Sequence, residues 1–142
     1  MTTTPLHVGT VGGQPLRFFK TPLNDGRPDL VWHAVDDLQC CLGLNRAGRK
    51  FFLHVLRSTR EWGAIIQTVA TADGVITIAP HFVAQGLIGA MVEEGMARAS
   101  IEPEYGRASA EAQKKLGVPF PFLSDEFFAW MKAAMNRWEP AP

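Results

Sequence analysis

From Gly74 to Val92 the chain carries no charged residue, a stretch long enough to cross a bilayer on length alone. Its composition argues otherwise. Thr77, Pro80, His81 and Gln85 interrupt it together with Gly86 and Gly89, and the β-branched run Val75 to Ile78 reads as a strand rather than a helix. Pro80 fits the first turn of a following helix, which Gly95 ends. The stretch therefore predicts a buried strand leading into a buried helix, with no membrane partner. The rest of the chain has to supply the cover for both.

The first third reads as a β-meander. Leu6 to Val11 and Pro15 to Lys20 flank Gly12-Gly13, a pair that accepts the positive φ angles of a tight hairpin. Asn24-Asp25-Gly26 marks a second reversal before a third strand, Leu30 to Val35. Asp36 or Asp37 then precedes Leu38, Cys41 and Leu42, where a carboxylate can cap the free amides of a helix that Gly43 stops.

A second helix is predicted from Asn45 to Leu56, with Phe51, Phe52, Val55 and Leu56 inside roughly 140° of arc. After Gly95 the composition changes. Pro103, Gly106, Gly117, Pro119 and Pro121 read as loops around one short helix from about Ser109 to Leu116. Ser124, Asp125 and Glu126 supply a cap and first-turn acids for a final helix. On it Phe127, Phe128, Trp130, Met131, Ala134, Met135 and Trp138 share one side. These elements predict an α+β fold: an amino-terminal antiparallel β-meander with packed helices and a carboxy-terminal amphipathic helix. The division expected is 1–95 as the α+β domain and 96–142 as a helical tail, packed on it or used for association.

With 142 residues, 46% apolar and 20% charged, such a chain buries enough surface to fold without disulfides or metal. Cys40 and Cys41 are neighbours and cannot staple distant segments. The start, MTTTPLHVG, lacks the basic and apolar regions of a signal peptide. A reducing, cytoplasmic setting is the expectation.

Catalytic signatures are not found. No Gly-rich phosphate loop, nucleophile elbow, H-E-x-x-H or C-x-x-C occurs, so neither an enzyme nor a cofactor is predicted. His33, Asp37 and Cys41 suggest a ligand set only superficially, because Asp37 has a capping role to fill and the cysteines read as small buried residues. His81 reads as a helix-start histidine with a satisfied hydrogen bond rather than a general base, since no carboxylate or nucleophile lies at a useful spacing.

Charge is more informative. Fourteen basic residues balance fourteen acidic ones, yet residues 44–60 hold Arg46, Arg49, Lys50, Arg57 and Arg60 and no acid, whereas residues 73–111 hold six acids and two bases. On the second helix Arg46, Arg49, Lys50, His54 and Arg57 lie opposite the apolar arc, interrupted only by Leu53. Such a stripe can neutralise phosphates. The alternative is a solvated helix face, which charge runs usually are.

The run Trp32-His33-Ala34-Val35-Asp36-Asp37-Leu38 followed by Leu42-Gly43-Leu44-Asn45 resembles, without a gap, the W-F-V-A-x-D-V-x-x-x-L-G-[YL]-x-N segment of the Bro amino-terminal domain of phage antirepressors. His33 stands where that family has a second aromatic. A preceding meander with a D-G turn, a basic helical stretch and a later strand leading into a helix extend the likeness over roughly residues 6–95. The resemblance implies a phage- or prophage-derived regulatory module that binds DNA. Joined to the charge pattern, it nominates Arg46, Arg49, Lys50, Arg57 and Arg60 as DNA contacts. The alternative is a protein-binding module that uses its charged faces, or the aromatic side of the last helix with Phe127, Met131 and Trp138, possible also as a homodimer contact.

Overall fold

The computed structural model describes residues 2–23, 30–58 and 60–116, the side chains at 60 and 61 excepted. In chain order the elements are β1 (His7–Val11), β2 (Gln14–Phe19), β3 (Trp32–Ala34), α1 (Val35–Cys41), α2 (Arg46–Ser58), α3 (Arg60–Ile65), β4 (Gln67–Thr71), β5 (Gly74–Pro80), α4 (His81–Glu93) and α5 (Ile101–Lys115). The fold is α+β, with a five-stranded antiparallel sheet in the order β1-β2-β3-β5-β4.

The first hairpin forms as its sequence dictates. Gly12 and Gly13 take φ of 59° and 76°, the double positive φ of a turn whose twist matches its strands. A side chain at Gly12 would also run into the Cys41 carbonyl, so this position brings the hairpin close under the end of α1. The meander continues through β3, where Phe18 faces His33 and Phe19 faces Trp32. The uncharged stretch becomes β5 and α4 with one break at Pro80, whose extended backbone (φ −63°, ψ 159°) places it just before the helix rather than inside its first turn. Gly95, at φ 73°, closes the far end, its amide bonded to the Val92 carbonyl at 3.0 Å. Among the described residues no helix is long and apolar enough to cross a membrane.

Alternation along the strands creates two cores. On the helix-covered face Leu16, Phe18 and Ala79 meet Leu38, Leu87 and Met91. On the other, Phe19, Trp32, Ala34 and Ile78 are all buried. An amino-terminal arm reaches this second face: the Thr3 amide donates to the Ala70 carbonyl at 2.7 Å and the Leu6 amide to that of Phe18 at 2.8 Å. Thr3, Thr4 and Leu6 line a cavity of about 360 Å³ with Phe19, Val69 and Ile78.

Several expectations are corrected. Neither Asp36 nor Asp37 caps α1; its N-cap is Ala34 with no side-chain cap bond, because Asp37 is drawn instead to Arg17. The short helix expected from Ser109 begins at Ile101. Pro103 lies in its first turn, where a missing N–H costs nothing, and Ile101, Tyr105, Ala108 and Ala112 form one buried stripe packed against β1. Residues 60–71 supply α3 and β4, neither of which the sequence reading assigned. Cys41 is buried as expected, but Cys40, one helical step round α1, is exposed. The Asn24-Asp25-Gly26 turn and the final helix with Phe127, Met131 and Trp138 lie outside the described residues.

Candidate nucleic-acid interface

The helix α2 is built from its cap upward. Gly43 takes a left-handed φ of 63° and releases the chain from α1, and Asn45 accepts the Gly48 amide at 2.8 Å on Oδ1, satisfying one of the free donors of the new helix. Phe52 and Leu56 are buried in the main core, with Phe51, Val55 and Leu53 partly buried beside them. That leaves one side for water. Arg46, Arg49, Lys50, His54 and Arg57 are all exposed on it. At 1.5 Å per residue they run about 16 Å along the axis.

The electrostatics of this face are one-sided. The helix contains no acidic residue in its first turn, and none of its exposed cations pairs with a carboxylate among the described residues. Arg46 and Arg49 occupy the end of a helix whose dipole favours anions, an arrangement that costs roughly 0.3–1 kcal/mol per charge. A notch of about 350 Å³ adjoins this end, walled by Gln14, Gln39, Cys40, Gly43 and Leu44 with Arg49 among its lining. No motif in the sequence announces the notch; it arises only when the β1–β2 hairpin is folded beside the junction of α1 and α2.

Of the five nominated cations, four, Arg46, Arg49, Lys50 and Arg57, therefore share one exposed helix face. Arg60 opens α3, and its side chain lies outside the described residues. The groups weighed for chemistry take other roles. Asp37 binds Arg17 through Nε at 2.8 Å and Nη2 at 3.0 Å. His33 is wholly buried; burial first and the nearby His81 second push its pKa down to about 3. The backbone of its cross-strand partner Ala79 offsets part of that cost without a hydrogen bond of regular geometry to either ring nitrogen. His81, lowered by burial to about 4, has the hydrogen bond expected of it, Nδ1 to the Tyr105 hydroxyl at 2.8 Å. Burial in turn pushes the Tyr105 hydroxyl far up. Among the described residues no three His, Cys, Asp or Glu side chains converge in a way that could hold a metal ion.

Comparison of the chain with protein-family models, with curated proteins and with solved structures finds no match.

Proposed function

We propose that this chain is a non-catalytic regulatory module that binds DNA through the outer face of α2, of the kind that the resemblance to phage antirepressors implies. One observation carries the reading: Arg46, Arg49, Lys50 and Arg57 are exposed together, without acidic partners among the described residues, on a helix whose opposite side is locked into the core. A solvated helix face usually interleaves both signs of charge, which stabilises it. Here like charges accumulate, and two of them stand at the wrong end of the helix dipole. A polyanion relieves both costs, because its phosphates neutralise those side chains while the cations condensed on the polyanion are released.

Fluorescence anisotropy with a mixed-sequence duplex at two salt concentrations tests this. Each phosphate contact steepens the dependence of log affinity on log salt by about 0.9. Replacing Arg46 and Lys50 by Ala should lower the slope by roughly 2 and weaken binding evenly across sequences, with the melting temperature not lowered and slightly raised by relief of the dipole and like-charge cost. An unchanged slope, or no binding by the parent chain at low salt, removes the proposal.

A further inference from the structure

The two edges of the sheet are treated differently. On β4 the outward Ala70 carbonyl is taken by the amide of Thr3. On β1 nothing comparable occurs among the described residues. Val11 and Gln14 flank the two-residue turn, so the pairs Val11–Gln14, Gly9–Leu16 and His7–Phe18 face inward and the intervening residues Val8 and Thr10 direct their N–H and C=O groups away from β2. The Arg17 amide, opposite Val8, points away from β1 to the Asp37 carboxylate and fixes that phase. Val8 and Thr10 are both exposed, Val8 to 53%, and their outward groups have no partner among the described residues.

The helix α5 runs antiparallel to β1 and forms a wall above this edge. The Gly12 amide donates to Glu104 Oε1 at 3.2 Å, Gly9 lies against Ala108, and His7 Nε2 is 3.6 Å from Glu111 Oε2. Between strand and helix lies a groove of about 340 Å³, lined by Val8, Gly9, Thr10, Glu104, Arg107 and Glu111. Arg107 is exposed at its middle and pairs with no carboxylate among the described residues.

We propose that this groove takes an extended peptide as a sixth strand on β1, with an acidic side chain over Arg107 and basic ones at alternate positions on either side, over Glu104 and Glu111. Strand addition uses the free main-chain groups of Val8 and Thr10 for affinity and the wall of α5 for selection. Side chains on one face of a strand recur every 6–7 Å. Glu104, Arg107 and Glu111 rise by about 4.5 and 6 Å along α5, within reach of such a spacing. A second copy of this chain does not fit: strands paired at the edge lie about 4.8 Å apart, while the α5 helices above them need 8–10 Å between axes. The occupant is thus a strand with no helix of its own overhead. The inference is independent of whether α2 binds DNA.

The peptide Thr-Lys-Val-Asp-Val-Lys-Thr, blocked at both ends, is the probe, added to the full chain and followed by anisotropy and amide hydrogen exchange. Saturable binding should slow exchange at Val8 and Thr10 by at least about tenfold. N-methylation at alternate amides should abolish binding in one phase and leave it in the other. Arg107→Glu should weaken the probe by about tenfold, and exchanging the central Asp of the probe for Lys should restore it. Thr10→Pro, which removes an outward donor that no ladder bond uses, should also weaken it. The proposal is overturned by unchanged exchange at Val8 and Thr10 in millimolar peptide, by equal binding of both N-methylated forms, or by sedimentation of the parent chain as a dimer that Thr10→Pro dissociates.

Discussion

The Asp37 carboxylate accepts three hydrogen bonds from one residue, Arg17: its backbone N–H at 3.0 Å, its Nε at 2.8 Å and its Nη2 at 3.0 Å. The register explains why. The β2–β3 ladder pairs Phe18 with His33, so Arg17 would face Ala34, but the chain turns helical at Val35 and the ladder ends. A carboxylate one turn into α1 takes the amide that the strand no longer can. The guanidinium follows as a bidentate partner, its own pKa raised first by that hydrogen bond.

Removing the carboxylate leaves both an orphaned amide and an unpaired cation in a partly covered site. Asp37→Ala should therefore cost about 2–3 kcal/mol, more than the ~1 kcal/mol of a lost helix cap. Asp37→Asn keeps an acceptor for the amide and should lose roughly half as much. Urea denaturation of the two variants checks the order; equal losses would mean that the amide bond contributes nothing, and no loss in Asp37→Asn would mean that the charged guanidinium pair contributes nothing.

The buried histidines make stability acid-sensitive. His33 and His81 have folded-state pKa values of about 3 and about 4, both below the ordinary ~6.5 of an unfolded chain. Between those values the unfolded state takes up protons that the folded state refuses. Their contribution is thus intact above about pH 6.5 and is lost as pH falls, at about 1.4 kcal/mol per pH unit for each histidine. Denaturant melts between pH 6.5 and 5 should show the decline, and His81→Gln should remove about one proton from the slope relative to the parent. An identical slope in that variant would place the proton uptake elsewhere.

Much of this was legible in the sequence where local chemistry decides the outcome. Gly12-Gly13 fixes a hairpin, β-branched Val75 to Ile78 fixes a strand, and the arc through Phe52 and Leu56 leaves the cations of α2 outside. What escaped depends on partners far along the chain. Asp37 looks like a cap until Arg17, twenty residues earlier, is folded beside it. Thr68, Val69 and Thr71 are strand-formers, but β4 stands as a strand only through its pairing with β5. The start of α5 hides behind Pro103 and Gly106, whose breaker character is overridden by the stripe from Ile101 to Ala112 lying on β1. The groove beside β1 has no sequence signature, because it arises where no second strand among the described residues neighbours β1.

The adjacent cysteines should behave as opposites. Cys40 is exposed, whereas Cys41 is buried with its Sγ 3.7 Å from the Gln14 and Pro15 carbonyls and its pKa pushed up to about 12, chiefly by burial. Since the thiolate is the reactive form, one thiol per chain should titrate with an aromatic disulfide reagent in the native state and the second only on unfolding. Prompt reaction of both would show that the end of α1 opens in solution.

Gly86 on α4 tests the packing under the proposed DNA-binding helix. A side-chain carbon there would meet the outer ring atoms of Trp62 from α3, so the absence of a Cβ lets the indole lie against the helix. By helix propensity alone Gly86→Ala should stabilise by about 1 kcal/mol. Overpacking against a ring costs about 1–3 kcal/mol, and the ring is half-buried, so it yields at the cost of its own contacts. The expected net effect is a loss of about 1 kcal/mol. In a Trp62→Ala background the obstacle is gone, and the same Gly86→Ala change should become stabilising. The sign reversal is a coupling that a double-mutant cycle reads directly from urea midpoints; a substitution that stabilises both backgrounds equally would show that the indole does not rest on Gly86.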